Sequence, residues 1–198
     1  MRYSPTLIVA LLLAAAPAFA AQVDDRAAVA IAKPRVEIVD RSLPPKTVAA
    51  MLAPVDAFYG FWNNGSQALL DQAIAPTFTD HALPPGRPQG PKGPMVAAKA
   101  FLRAVPDLRV VVTQRLVVGN RVVSALHFTG HFTGSFQGRK GVGQPVDFIA
   151  TDILAVRGGR ITDNWHLEDN LTFLKQIGAA GIGFDVGGSA EAVGDESA

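Results

Sequence analysis

The hydrophobic period of this chain changes part-way along, and that change limits the folds open to it. Before residue 106, apolar residues recur three or four apart; from residue 108 they recur every second residue. The first spacing buries one stripe of a helix and the second buries one face of a strand. Helices followed by a run of strands predict an α+β fold, with the helices packed across one face of an antiparallel sheet.

The details follow the same logic. Val48, Leu52, Val55, Tyr59 and Trp62 predict a helix that stops at Asn63-Asn64-Gly65. Ser66 is a good N-cap for a second helix carrying Leu69, Leu70 and Ile74, which Pro76 ends. Residues 81–94 hold five prolines and must form a loop, and residues 95–105 read as a third helix. Strands are then expected over 108–118, 121–132, 146–156 and 160–166. Tight turns at Gly119-Asn120 and Gly158-Gly159 and a glycine-rich loop over 134–144 join them, and a short helix over 167–177 follows. Long twisted strands of this kind curl around helices and enclose a pocket.

The ends differ from this domain. Arg2, the apolar run 6–16 and Ala18-Phe19-Ala20 have the pattern of a signal peptide cleaved after Ala20. The run is too short for a spanning helix, so a periplasmic or secreted protein is expected, with no membrane association after cleavage. Residues 21–46 show no sustained period and read as a flexible arm; residues 179–198, rich in Gly, Ala and Ser, read as a disordered tail. Residues 47–178 are then the folded domain.

Composition excludes several classes. The chain has no cysteine, so disulfides, thiol nucleophiles and lipid anchoring through cysteine are out. A net charge of +1 with no basic stripe argues against nucleic acid as a partner. His127 and His131 share a strand face but sit about 13 Å apart there. No other metal-binding spacing, phosphate loop or dinucleotide fingerprint is present, so neither a metal nor an organic cofactor is expected.

Candidate chemistry comes from the faces of the strands. One face of 146–156 carries Val146, Phe148, Ala150, Asp152, Leu154 and Val156, with Asp152 its only charge. Such a carboxylate is either paired with a structural donor or held at the floor of a pocket. The last strand adds His166, a residue type able to exchange protons near neutral pH. Asp152 and His166 are the candidate catalytic pair; Trp62, His81, His127, Phe148, Trp165 and Asp169 are the candidate substrate contacts. The pair depends on register. A strict two-residue turn at Gly158-Gly159 sets Asp152 opposite Trp165, whereas a three-residue loop with a bulge sets it opposite His166. The bulged loop is the expectation adopted.

Several segments together resemble a known family. Phe78-Thr79-Asp80-His81, Pro84-Pro85-Gly86, residues 101–108 and 128–134, residues 152–161, Asn164-Trp165 and Gln176-Ile177-Gly178 resemble SnoaL-like polyketide cyclases. These form an ester-cyclase branch of the nuclear transport factor 2-like superfamily. The resemblance implies a cone-shaped, curved antiparallel sheet wrapped around the N-terminal helices. It also implies cofactor-independent cyclisation, in which a pocket base takes a proton next to a carbonyl and polar neighbours steady the enolate. In the family a carboxylate after the last-strand Trp is the acid/base and a His one strand earlier is its partner. Here those positions hold His166 and Asp152, the two residue types exchanged.

Three functions are consistent with this reading: an exported cyclase, lyase or hydrolase acting on a small apolar carbonyl or ester compound; a non-catalytic module binding a small apolar ligand in the same pocket; or an interaction domain. Apolar residues on both faces of the central strands lead to the further expectation of a homodimer.

Overall fold

The computed structural model describes residues 23–180. The expected signal peptide and all but the first residues of the expected tail lie outside the described residues.

The first expected helix is α2 (Pro45–Asn64). Proline at its first position costs no hydrogen bond, and Gly65, in the left-handed conformation at φ 72°, closes it with its N–H on the Phe61 carbonyl. Ser66 then caps α3 (Gln67–Ala73), its hydroxyl accepting from the Leu69 N–H. Ile74 is not helical. It opens an edge strand, β2 (Ile74–Asp80), where Pro76 is tolerated because one side of the strand needs no ladder partner. The proline loop leads to α4 (Lys92–Ala104).

Strands β3 (Arg109–Val118) and β4 (Arg121–Phe132) follow. The expected glycine-rich loop contains a small hairpin, β5 (Ser135–Phe136) and β6 (Arg139–Lys140). Then come β7 (Gln144–Arg157), β8 (Arg160–Glu168) and the closing helix α5 (Asn170–Gln176).

Residues 23–46 do not form the loose arm read from the sequence. They fold as α1 (Asp25–Ile31) and β1 (Val36–Val39). Helix α1 lies so close to α2 that a Cβ on Gly60 would sit 2.6 Å from Val29 Cγ2. The Asn63 amide donates to the Ala28 carbonyl at 3.2 Å and Asn64 donates to Asp25 at 2.8 Å. Strand β1 pairs with β3, and its Glu37 reaches the buried Arg115 guanidinium at 3.3 Å. Tertiary bonds to distant residues hold this segment, which is why no local period betrays it.

The main sheet runs β1-β3-β4-β7-β8-β2. Its four central strands are antiparallel, as expected, while β1 and β2 join the edges in parallel. The inner face packs on the helices through a cluster of buried rings, including Phe128 on Phe148 with centroids 4.8 Å apart and Phe148 on Phe173 at 5.2 Å. Ile149, Ile153, Trp165 and Leu167 stand on the other face, exposed. Among the described residues, no helix is long and apolar enough to cross a membrane.

Candidate functional site

Strand alternation delivers Asp152 to the inner face, as read from the sequence, and Asp152 is 2% exposed. The register places it directly opposite His166. The cause differs from the expected one. The Gly158-Gly159 turn is the strict two-residue form, with Arg157 facing Arg160, and the extra residue enters one pair further along. Thr162 is that residue: Val156 faces Ile161, Ala155 faces Asp163, and Thr162 has no partner between them. The bulge returns Asn164 and His166 to the inner face.

The His166 Nδ1 atom lies 2.7 Å from Asp152 Oδ1, and its Nε2 atom lies 3.3 Å from Glu168 Oε2. Burial of the ring opposes a charge there, but the hydrogen bonds to Asp152 and Glu168, with their charges, outweigh it and raise the pKa to about 10. At neutral pH His166 is therefore an imidazolium donating from both nitrogens. The buried Tyr59 hydroxyl lies near Asp152 and Ser124 without closing a well-formed hydrogen bond to either. Burial, and then the Asp152 charge, hold that phenol protonated well above its ordinary range.

Asp152, His166 and Glu168 line a small, largely enclosed cavity of about 30 Å³ between the sheet, α2 and the proline loop. Phe58, Trp62, Phe78, Leu126 and Phe128 supply apolar wall; Asp80, Arg87 and Asn164 supply polar wall. The Asn164 side-chain oxygen is buried without a partner, so this amide has hydrogen-bonding capacity to spare. Gln89 fastens the loop by accepting from the Asp80 N–H and donating to the Asp80 carbonyl, both at 2.8 Å.

Of the expected substrate contacts, only Trp62 lines this cavity. Phe148 is buried beneath it in the ring cluster. His81 and Trp165 stack on one another with centroids 4.3 Å apart, and His81 also pairs with Asp163 at 2.9 Å. Trp165 is at an outward position because its neighbours Asn164 and His166 point inward. His127 pairs with Asp147 at 2.8 Å on the outer face, and Asp169 caps α5 by accepting from the Thr172 N–H. Glu168 and Asn164 were not singled out as contacts, yet they share the inward alternation of His166 and could have been counted from it. Arg87 and Asp80 come from the loop, where no period exists to place them. Among the described residues, no group of three or more His, Cys, Asp or Glu side chains is arranged to hold a metal ion.

Residues 54–177 match the SnoaL-like polyketide cyclase family, more than half the chain. The chain belongs to that family. Its fold is accordingly the nuclear transport factor 2-like one, and the cofactor-independent cyclase and isomerase scaffold is its setting. A proposed polyketide cyclase from Bacillus cereus is 40% identical, with a TM-score of 0.69 over 75% of this chain and 93% of that one. IdmH, a proposed polyketide cyclase from Streptomyces antibioticus, is 26% identical, with a TM-score of 0.58 over 65% of this chain and 98% of that one. AclR, a proposed hydroxylase from Streptomyces galilaeus, is 20% identical, with a TM-score of 0.58 over 68% and 88%; that likeness shows the fold alone. No curated protein matches the chain. This SnoaL-like chain carries α1 and β1 ahead of the segment that matches the family.

Proposed function

We propose that this protein is a cofactor-independent enzyme that moves a proton beside the carbonyl of a small ketone or ester, with intramolecular cyclisation as the overall reaction. The observation that carries the reading is the Asp152–His166–Glu168 chain inside an apolar-walled cavity. Its two contacts are unequal. The short one, to Asp152, fixes the ring; the long one, to Glu168, is the one a substrate oxygen can replace. A carbonyl oxygen then accepts from His166 Nε2–H, and the freed Glu168 takes the proton from the adjacent carbon. The C–H electrons pass to the carbonyl oxygen as an enolate, which His166 and the Asn164 amide stabilise. The enolate carbon attacks a second carbonyl of the same molecule, and the alkoxide so formed recovers the proton from Glu168.

The test is exchange of the carbon-bound proton of a β-keto ester in heavy water, followed by NMR. The unaltered protein should accelerate exchange above the buffer rate, and Glu168→Gln should lower the acceleration by about 100-fold or more. Ligand binding with no exchange above buffer would put the non-catalytic binding module in its place. Neither binding nor exchange, with a partner protein on the sheet, would favour an interaction domain.

Two further parts of the proposal concern its setting. Residues 1–20 support export to the periplasm or beyond. The exposed apolar row Ile149, Ile153, Trp165 and Leu167 supports a homodimer built on the outer sheet face.

A further inference from the structure

The cavity holding Asp152, His166 and Glu168 has room for two or three waters, since each needs roughly 10–15 Å³ of such space. Only the reacting end of a substrate can belong there. The rest needs a second compartment, and one adjoins it. A groove of about 410 Å³ lies between the proline loop, α4 and the β5–β6 hairpin, a size typical of small-molecule sites. Arg87 lines both the groove and the cavity, so the two meet at its side chain.

The walls of the groove are built closely. A Cβ on Gly134 would sit 1.7 Å from the Arg103 carbonyl oxygen, and the Gly134 N–H donates to the Ala104 carbonyl at 2.9 Å, so the hairpin is seated against the end of α4. A Cβ on Gly93 would sit 2.6 Å from the Pro88 carbonyl oxygen, so the loop is folded back onto the start of the same helix. The two compartments differ in charge: the cavity mixes acids with Arg87 and His166, whereas the groove is purely basic. The cavity is lined by Asp80, Asp152 and Glu168; the groove is lined by Arg87 and Arg103 and by no carboxylate. Neither arginine has an ion-pair partner among the described residues. The floor between them is apolar, with Ala97, Ala100, Phe101 and Phe136.

We propose that the groove is the distal subsite of the enzyme and takes an amphiphilic carboxylate. The apolar body lies on Phe101 and Phe136, and the carboxylate meets Arg103, while Arg87 borders the passage to the reacting end. Arg103 is the anchor because, unlike Arg87, it lines the groove and not the cavity. This assignment rests on the proton-transfer reading for what happens in the cavity, but the preference for an anion does not.

Calorimetric titration of the full chain at low salt with octanoate, octanol and octyl phosphate tests it. Octanoate should bind about tenfold more tightly than octanol, the difference a charge-assisted hydrogen bond makes. Arg103→Gln should abolish that difference and Arg103→Lys should restore most of it. Equal affinities for octanoate and octanol, or an unchanged preference in Arg103→Gln, would overturn the proposal; tighter binding of octyl phosphate than of octanoate would overturn the choice of carboxylate. Glu168→Gln should keep the preference for octanoate. If exchange activity is absent while that preference stands, the proton-transfer reading fails and the subsite survives.

Discussion

His166 is where chemistry and stability meet. Its pKa in the folded protein is about 10, above the ordinary 6.5. The protonated ring therefore contributes stability in full below pH 6.5 and loses that contribution as pH rises through 10. Chemical denaturation between these values should show the unfolding free energy falling by a few kcal/mol, and His166→Gln should flatten the fall. Asp152→Asn removes the closer of the two anions and leaves the buried ring with one, so it should destabilise the protein by about 3 kcal/mol. The His166 ring signals, followed by NMR, should titrate at lower pH in that variant. Asp152 and His166 were legible in the sequence because each follows from counting along a strand. The Tyr59 hydroxyl was not, because its place beside Asp152 depends on how α2 lies across the sheet. Trp165 misled for a simple reason: adjacent strand residues face opposite ways, so it could not share the pocket with His166.

At the scale of elements, the Thr162 bulge has a consequence that can be checked. Thr162 and Asp163 together face the single residue Ala155. Deleting Thr162 restores strict alternation and leaves Asn164 and His166 on the inner face. Such a variant should keep the raised His166 titration and lose about 1 kcal/mol with the hydrogen bond from Thr162 to Asp163. A different prediction concerns the N-terminal elements. Arg115 is 1% exposed and is neutralised by Asp56 of α2 at 2.7 Å and Glu37 of β1. A chain beginning at Pro45 loses Glu37 and uncovers the α1 side of α2, so its melting temperature should drop by about 5 °C or more. The long strands β3, β4, β7 and β8 were readable because each buries one face and alternates cleanly. Strands β1 and β2 were not. They are short, they pair in parallel with strands far along the chain, and β2 contains a proline that looks locally like a break.

For the whole molecule, the outer sheet face and the N-terminus set two expectations. Leu167 is 77% exposed and Ile149 62%, an unusual exposure for neighbouring strands of one sheet. Light scattering at micromolar concentration should give twice the chain mass, and Leu167→Asp should return it to one. The other expectation is the start of the exported protein: N-terminal sequencing of periplasmic material should read from Ala21. The α+β class was legible at this scale because it needs only the order of periods along the chain. The closure of the cavity was not, because it depends on a loop whose hold comes from Gln89 and from glycines that admit close backbone contact.

That closure also has a consequence in time. A compartment that admits only water at rest cannot be filled at the rate of collision. We expect widening for a substrate to need Gln89 to release Asp80 and the loop to part from α4 beside Arg87, a motion of microseconds to milliseconds in comparable loops. Association should therefore level off with rising ligand concentration instead of climbing in proportion to it. Gln89→Ala should raise that plateau, because the fastening it removes is the slow step.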